Sequence, residues 1–250
     1  MLKAISRVTI LCATAWAATF PVAAQFLIRL NPKTDQAFED YRKAAEAHLD
    51  GRPRFPSGLK PGQIEIVPGY SKGFTAVPEG LIHDWIAATL VPGATVGKTL
   101  ALLQNYAGYK SIYSPEVSDS KLLRHDGDSW HVSLQMVKKN VVTVVLNGEF
   151  EVQYRALGNN RWSVMSRSTR IAELEGDHEM PPGSGHGFLW RTNAYWFIEP
   201  RPEGVYLECR SISLSRDIPF VLSLAVKPFV TVVPRESLHA TMEATLRALR

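Results

Sequence analysis

The chain changes period along its length, and the changes mark out its elements. Between residues 142 and 155, Val142, Val144, Leu146, Phe150, Val152 and Tyr154 alternate with Thr143, Asn147, Glu149, Glu151, Gln153 and Arg155. A period of two over that span predicts a long strand with one dry face and one wet face, the signature of an antiparallel sheet. Gly158-Asn159-Asn160 turns it into a second strand over Arg161–Leu174. His131 to Lys138 predicts another strand. After a Gly/Pro-rich loop from Gly176 to Gly187, Phe188–Glu199 and Val205–Leu214 predict a hairpin joined by residues 200–204. Upstream, Leu81 to Val91 is β-rich and stops at Pro92-Gly93.

Elsewhere the spacing is helical. Phe38, Tyr41, Ala45 and Leu49 form one stripe, with Thr34 or Asp35 as its cap and Gly51 as its stop. Residues 52–62 read as a linker and Gln63 to Val67 as a short strand. Val96, Leu100, Leu103, Tyr106, Tyr109 and Tyr113 recur at three and four, with a break at Gly108 and an end at Pro115. Ile218 to Val233 is strongly apolar and cut by Pro219, Pro228 and Pro234. Glu236 to Arg250 then predicts a C-terminal helix burying Leu238, Met242, Thr245, Leu246 and Leu249. This order predicts an α+β layer: a curved antiparallel sheet wrapped around a long C-terminal helix, with a cavity between them and an extra helical segment at the N-terminus.

The first residues change the expected setting. Lys3 and Arg7 precede an uncharged apolar run from Val8 to Phe20, and Val22, Ala23 and Ala24 are small residues suited to a signal-peptidase cut. The run is shorter than the ~20 apolar residues a spanning helix needs. The expectation is a signal peptide over 1–24, cleaved after Ala24, and a periplasmic or secreted protein. An N-terminal helix and linker then occupy 25–80, and a ligand-binding domain occupies 81–250. Cleavage removes two of the charges behind the formal +4 and no acid. No basic run is dense enough for nucleic acid. Of two cysteines, only Cys209 lies beyond the signal, so no internal disulfide is expected.

The stretches GLIHDW (80–85), VVTVVLN (141–147), STRIAELE (168–175), GFLWR (187–191) and LSRDIP (214–219) resemble exported bacterial members of the START-like superfamily, also called SRPBCC or helix-grip proteins. The resemblance covers residues 81–250. It implies a helix-grip fold and a scaffold shared by carriers, sensors, cyclases and hydrolases, so it does not choose among them.

Candidate chemistry is sparse. Gly93 to Thr99 imitates a phosphate-binding loop, but three residues rather than four separate its glycines. Ser118-Asp119-Ser120-Lys121 lacks the companion motifs of serine acylases. His83, His125, His131, His178, His186 and His239 show no paired ligand spacing, so neither metal nor cofactor is expected. An even-length loop in the last hairpin would set Trp190, Thr192, Ala194 and Trp196 beside Leu207, Cys209 and Ser211 on one inward face, with Arg191, Asn193, Glu208 and Arg210 toward solvent. Small residues between tryptophans suit a cavity wall, although a filled core has the same pattern. With Trp85 and Arg170, the residues Trp190, Thr192, Trp196, Leu207 and Cys209 form the candidate ligand-binding set. Strict alternation from Trp162 puts either Arg167 or Arg170 inside. Arg170 is chosen as the anchor for a polar head, and a protein carboxylate such as Asp84 is its other partner.

These features predict a binding protein for a hydrophobic or amphipathic small molecule. They also raise the idea that 218–233 forms a lid touching a membrane surface. The alternatives are a cyclase- or hydrolase-like enzyme using His83 with Asp84 or Arg170, and an envelope interaction protein without ligand. Adjacent on one strand, His83 and Asp84 point to opposite faces and cannot pair there.

Overall fold

The structure is a computed structural model that describes residues 27–49, 58–139, 143–217 and 220–250; of 220–231 it describes the backbone alone. The expected signal peptide lies outside these residues. In chain order the elements are β1 (Ile28–Arg29), α1 (Pro32–Glu46), β2 (Ile64–Pro68), β3 (Phe74–Val77), β4 (Gly80–Pro92), α2 (Val96–Gln104), a 3-10 turn (Tyr106–Gly108) and α3 (Tyr109–Ile112). There follow β5 (Val117–Asp126), β6 (Ser129–Lys139), β7 (Thr143–Gly158), β8 (Arg161–Glu175), β9 (His178–Glu179), β10 (Ser184–Gly185), β11 (Arg191–Arg201), β12 (Gly204–Arg216) and α4 (Phe220–Leu249).

Ten strands form one sheet whose main path runs β2-β4-β12-β11-β8-β7-β6-β5, with β3 on the β4 edge and β9 on β8. The named pairs along it are antiparallel. Tight turns explain much of this order. Asn159 and Asn160 both adopt positive φ, the geometry a two-residue hairpin requires. Arg201 pairs directly with Gly204, so two residues connect β11 to β12 and the loop is even, as the pattern requires.

The helices take opposite faces. On the inner face, α4 sends Leu238, Met242 and Leu246 into a core with Ala87, Val91, Val205, Leu207 and Cys209. On the outer face, α1 packs Phe38 and Ala45 against Ile82, Tyr195, Ile212 and Leu214. This is the curved antiparallel sheet around a C-terminal helix expected from the sequence, in the helix-grip arrangement.

Several details correct the sequence reading. Asn31, not Thr34 or Asp35, caps α1, its side chain accepting from the Lys33 N–H. The middle helix is broken earlier than Gly108: α2 ends at Gln104 with Asn105 as its cap, and Gly108 closes the 3-10 turn before α3. The C-terminal helix begins at Phe220 and runs through Pro228 and Pro234 instead of starting at Glu236. The lid idea falls on Ile218, Pro219 and the side chains of 220–231, outside the described residues. Among the described residues no helix is long and apolar enough to cross a membrane. The face assigned to solvent in the last hairpin is covered by α1: Asn193 and Arg210 are buried.

One irregularity decides the site. Glu149 pairs with Arg170, but Phe150 pairs with Ser168, so Thr169 is an extra residue in β8. A one-residue bulge reverses which face the later side chains occupy.

Candidate functional site

The inner face is best followed across the strands. One row runs His83, Ser213, Thr192 on β4, β12 and β11. The next runs Trp85, Ser211, Ala194, Ser166, Val152 and Trp130 out to β6. The third runs Ala87, Cys209, Trp196, Val164 and Tyr154. Small side chains thus occupy the middle strands, with aromatic rings on either flank.

The two ends of this face differ. Beneath α2 and the C-terminal half of α4 it is filled. Tyr106 and Tyr154 share a hydroxyl contact of 2.7 Å, and the Leu103 carbonyl accepts from Tyr154 at 2.8 Å and from Tyr109 at 2.6 Å. Tyr113 lies 3.2 Å from the Thr245 hydroxyl. Burial pushes the Tyr106, Tyr109 and Tyr154 phenols upward, and Tyr113 to about 12, so all stay neutral. Toward the other end, Trp85, Thr192, Ala194, Trp196, Ser166, Leu134 and Met136 are only half-buried although they face inward. At Gly148 the face is close-packed: a Cβ there would stand 2.7 Å from the Phe150 ring and 3.0 Å from the Met136 methyl, so those two side chains fill the room a larger residue would need. The incompletely covered strip, with Thr192, Ala194, Ser211 and Ser166 between Trp85, Trp196 and Trp130, is the inner-face trough.

The predicted site residues divide. Thr192, Trp196, Leu207 and Cys209 lie on the inner face in the expected register: Trp196 opposes Cys209 and Thr192 opposes Ser213. Trp85 joins them on β4. Leu207 and Cys209 are fully buried floor, and burial drives the Cys209 thiol well above its ordinary range, leaving it unreactive. Trp190 does not join. It precedes β11 and packs with Phe38, Ile82 and Leu214 in the outer cluster.

Arg170 is corrected too. Past the Thr169 bulge it shares the outer face with Glu149, 3.8 Å away, and bonds Glu179. That bond holds the Glu179 carboxyl below its usual range. Arg167, before the bulge, also faces outward and forks onto Glu46 of α1 at 3.0 and 2.6 Å. Neither arginine is inside. Asp84 instead receives Arg210 at 2.9 and 2.6 Å, with the Tyr41 hydroxyl at 2.7 Å.

The bulge delivers Glu173 to the trough side in exchange. Buried, it accepts the backbone N–H groups of His186 at 2.6 Å and Phe188 at 2.9 Å, which pins the loop before β11. His83 is the one histidine on the inner face of the central strands. It opposes Ser213, its Nε2 lies 3.0 Å from the Ser215 hydroxyl, and burial lowers its pKa to about 4, so it is neutral at ordinary pH. Sequence reasoning missed Trp130, Leu134, Met136 and Ser166 as lining. Their alternation was visible, but the facing row on a distant strand was not. Among the described residues no three His, Cys, Asp or Glu side chains gather as a metal site.

No protein-family model and no curated protein matches the chain. Solved structures of similar arrangement include a STAR-related lipid transfer protein from Xanthomonas axonopodis, 14% identical, covering 74% of this chain and 98% of that one at a TM-score of 0.42. A START superfamily protein from Mycobacterium smegmatis is 13% identical over 68% of this chain and 99% of its own, at 0.41. The Zhui aromatase/cyclase from a Streptomyces species is 10% identical over 75% and 92%, at 0.42. Identity this low carries no residue across, and TM-scores under 0.5 carry no role.

Proposed function

We propose that this protein binds a hydrophobic or amphipathic small molecule in the inner-face trough, and that it does so outside the cytoplasm after losing residues 1–24. The observation that carries the reading is the half-exposed row Trp85, Ser211, Ala194, Ser166, with Trp196 and Trp130 beside it. Large apolar rings left partly uncovered beside small side chains, on a face otherwise packed as core, support an apolar ligand site there. The outer face differs: α1 packs over its centre, and the space of about 450 Å³ beside it is lined by charged groups, Arg29, Asp35, Arg170 and Arg191, instead of large apolar rings.

Two measurements test this. Organic extraction of the purified protein followed by mass spectrometry is expected to release lipid-like molecules, and the stripped protein is expected to bind Nile red with a blue-shifted emission. A blank extract together with no Nile red binding defeats the reading. Export is checked by the mass of the mature protein, which should begin at Gln25; an intact Met1 defeats it.

A further inference from the structure

Three polar atoms on the inner face of β4 have no partner among the described residues: His83 Nδ1, Trp85 Nε1 and, further along, Thr89 Oγ1. His83 is 2% exposed. Its Nε2 lies 3.0 Å from the Ser215 hydroxyl oxygen, and that oxygen lies 3.3 Å from the Arg216 carbonyl. A carbonyl can only accept; in the tautomer we assign, the serine proton goes to it and the imidazole donates through Nε2. Nδ1 is left as a bare acceptor, buried and unpartnered. Two residues along the same face, the Trp85 Nε1–H is a buried donor, equally unpartnered. Native proteins leave few such groups, and each invites an explanation.

One acceptor and one donor at adjacent positions of a strand face complement a hydroxyl, which gives a proton to Nδ1 and offers lone pairs to an indole N–H. The surroundings select against charge. Ser213, Ser211, Thr192 and Ala194 carry none, and burial keeps His83 neutral. Arg167, Arg170 and Arg210 point to the other face, held by carboxylates. A carboxylate or phosphate entering here would shed its water and meet no cation.

We propose that the trough selects an uncharged amphiphile whose hydroxyl-bearing end seats at His83 and Trp85. This rests on the reading of the trough as the ligand site. It replaces the anionic head group that an inward Arg170 would have implied.

Monoolein, methyl oleate and oleate share one acyl chain and differ at the head: hydroxyls, a carbonyl without O–H, and a negative charge. Displacement of Nile red from the stripped protein is expected to rank them in that order, with oleate at least ~10-fold weaker than monoolein, since a stranded buried charge costs more than one neutral hydrogen bond. Trp85→Phe keeps the ring and deletes the N–H. It should weaken monoolein and methyl oleate each about fivefold, the worth of one hydrogen bond. His83→Leu should weaken monoolein by a similar factor and leave methyl oleate unchanged. Without ligand, Trp85→Phe should melt no lower than the native protein, because it removes an unsatisfied donor; a clear drop would mean that the indole N–H has a structural partner, and would overturn the proposal. Should His83→Leu fail to fold, Trp85→Phe decides alone. Oleate binding as tightly as monoolein overturns the selectivity and leaves the trough reading standing, whereas no displacement by any of the three defeats both.

Discussion

The two faces of this sheet solve opposite problems. The outer face is closed by α1 with ionic clasps: Glu46 holds Arg167 and Arg42 and receives the Tyr195 hydroxyl, while Asp84 holds Arg210 and the Tyr41 hydroxyl. Charges that are buried there are paired and hydrogen-bonded, as low dielectric demands. The inner face carries one such clasp on β8, where buried Glu173 holds the backbone N–H groups of His186 and Phe188. On β4, β12 and β11 its polar side chains are uncharged, three polar atoms on β4 have no partner among the described residues, and its large rings are half uncovered. The outer face keeps its buried charges paired, although Asp35 Oδ1 and the Trp190 indole N–H there also lack a partner. The difference between the faces, rather than any motif, is what supports the proposed site.

That contrast can be broken most violently on the outer face. Asp84→Ala strands Arg210 and should cost about 3–5 kcal/mol, the usual penalty for opening a buried pair; urea unfolding that shows under ~1 kcal/mol would mean the clasp is not structural. Acid is the second test. Burial lowers His83 to about 4, whereas the unfolded chain titrates near ~6.5. Between those values only the unfolded state takes the proton. Stability is therefore full above ~6.5 and falls as the pH drops toward 4, by at most roughly 1.4 kcal/mol per pH unit from this group. His83→Leu should flatten that arm of a stability-against-pH curve, and an unchanged slope would place its cause elsewhere. Third, Ala194→Leu fills the trough. Overpacking a closed core costs ~1–3 kcal/mol, so a shift below ~1 kcal/mol with Nile red binding abolished marks open space, and a large loss of stability marks a filled core. Arg170→Leu should do least, within ~1 kcal/mol and with ligand affinity unchanged, because its pair is a surface one. A loss of affinity there would return a ligand role to the outer face.

Much of the fold was legible because it depends on local rules. The alternation of Val144 to Tyr154 and the Asn159-Asn160 turn fix strands without distant information. In the last hairpin the pattern predicts a joint over 200–204 and the register only on condition of an even loop, which the two-residue connection meets by setting Trp196 opposite Cys209. The candidate site was legible only as far as register held. The pattern of β8 promised one inward arginine because strict alternation allows no other outcome, and Thr169 broke the alternation. Trp190 was misplaced for a similar reason: it lies just before β11, where strand parity no longer applies. The role of α1 was out of reach because amphipathic spacing says that a helix covers something, not which face it covers.

Thr169 acts on this sheet as a single inserted letter acts on a reading frame. Before it, β8 spells its even residues toward the trough; after it, the odd ones. One strand thereby serves two masters: Ser166 floors the binding space, while Glu173, five places beyond Ser168, clamps the backbone of His186 and Phe188. Deleting that one threonine would leave Arg170 next to Ser168 in an unbroken ladder, opposite Glu149 as it is now, and every later side chain on the face it already holds. Straightening β8 with Thr169 kept in the ladder is what would turn Arg170 toward the trough and Glu173 away from the loop it anchors. The faces downstream therefore depend on this solvent-exposed position staying outside the ladder.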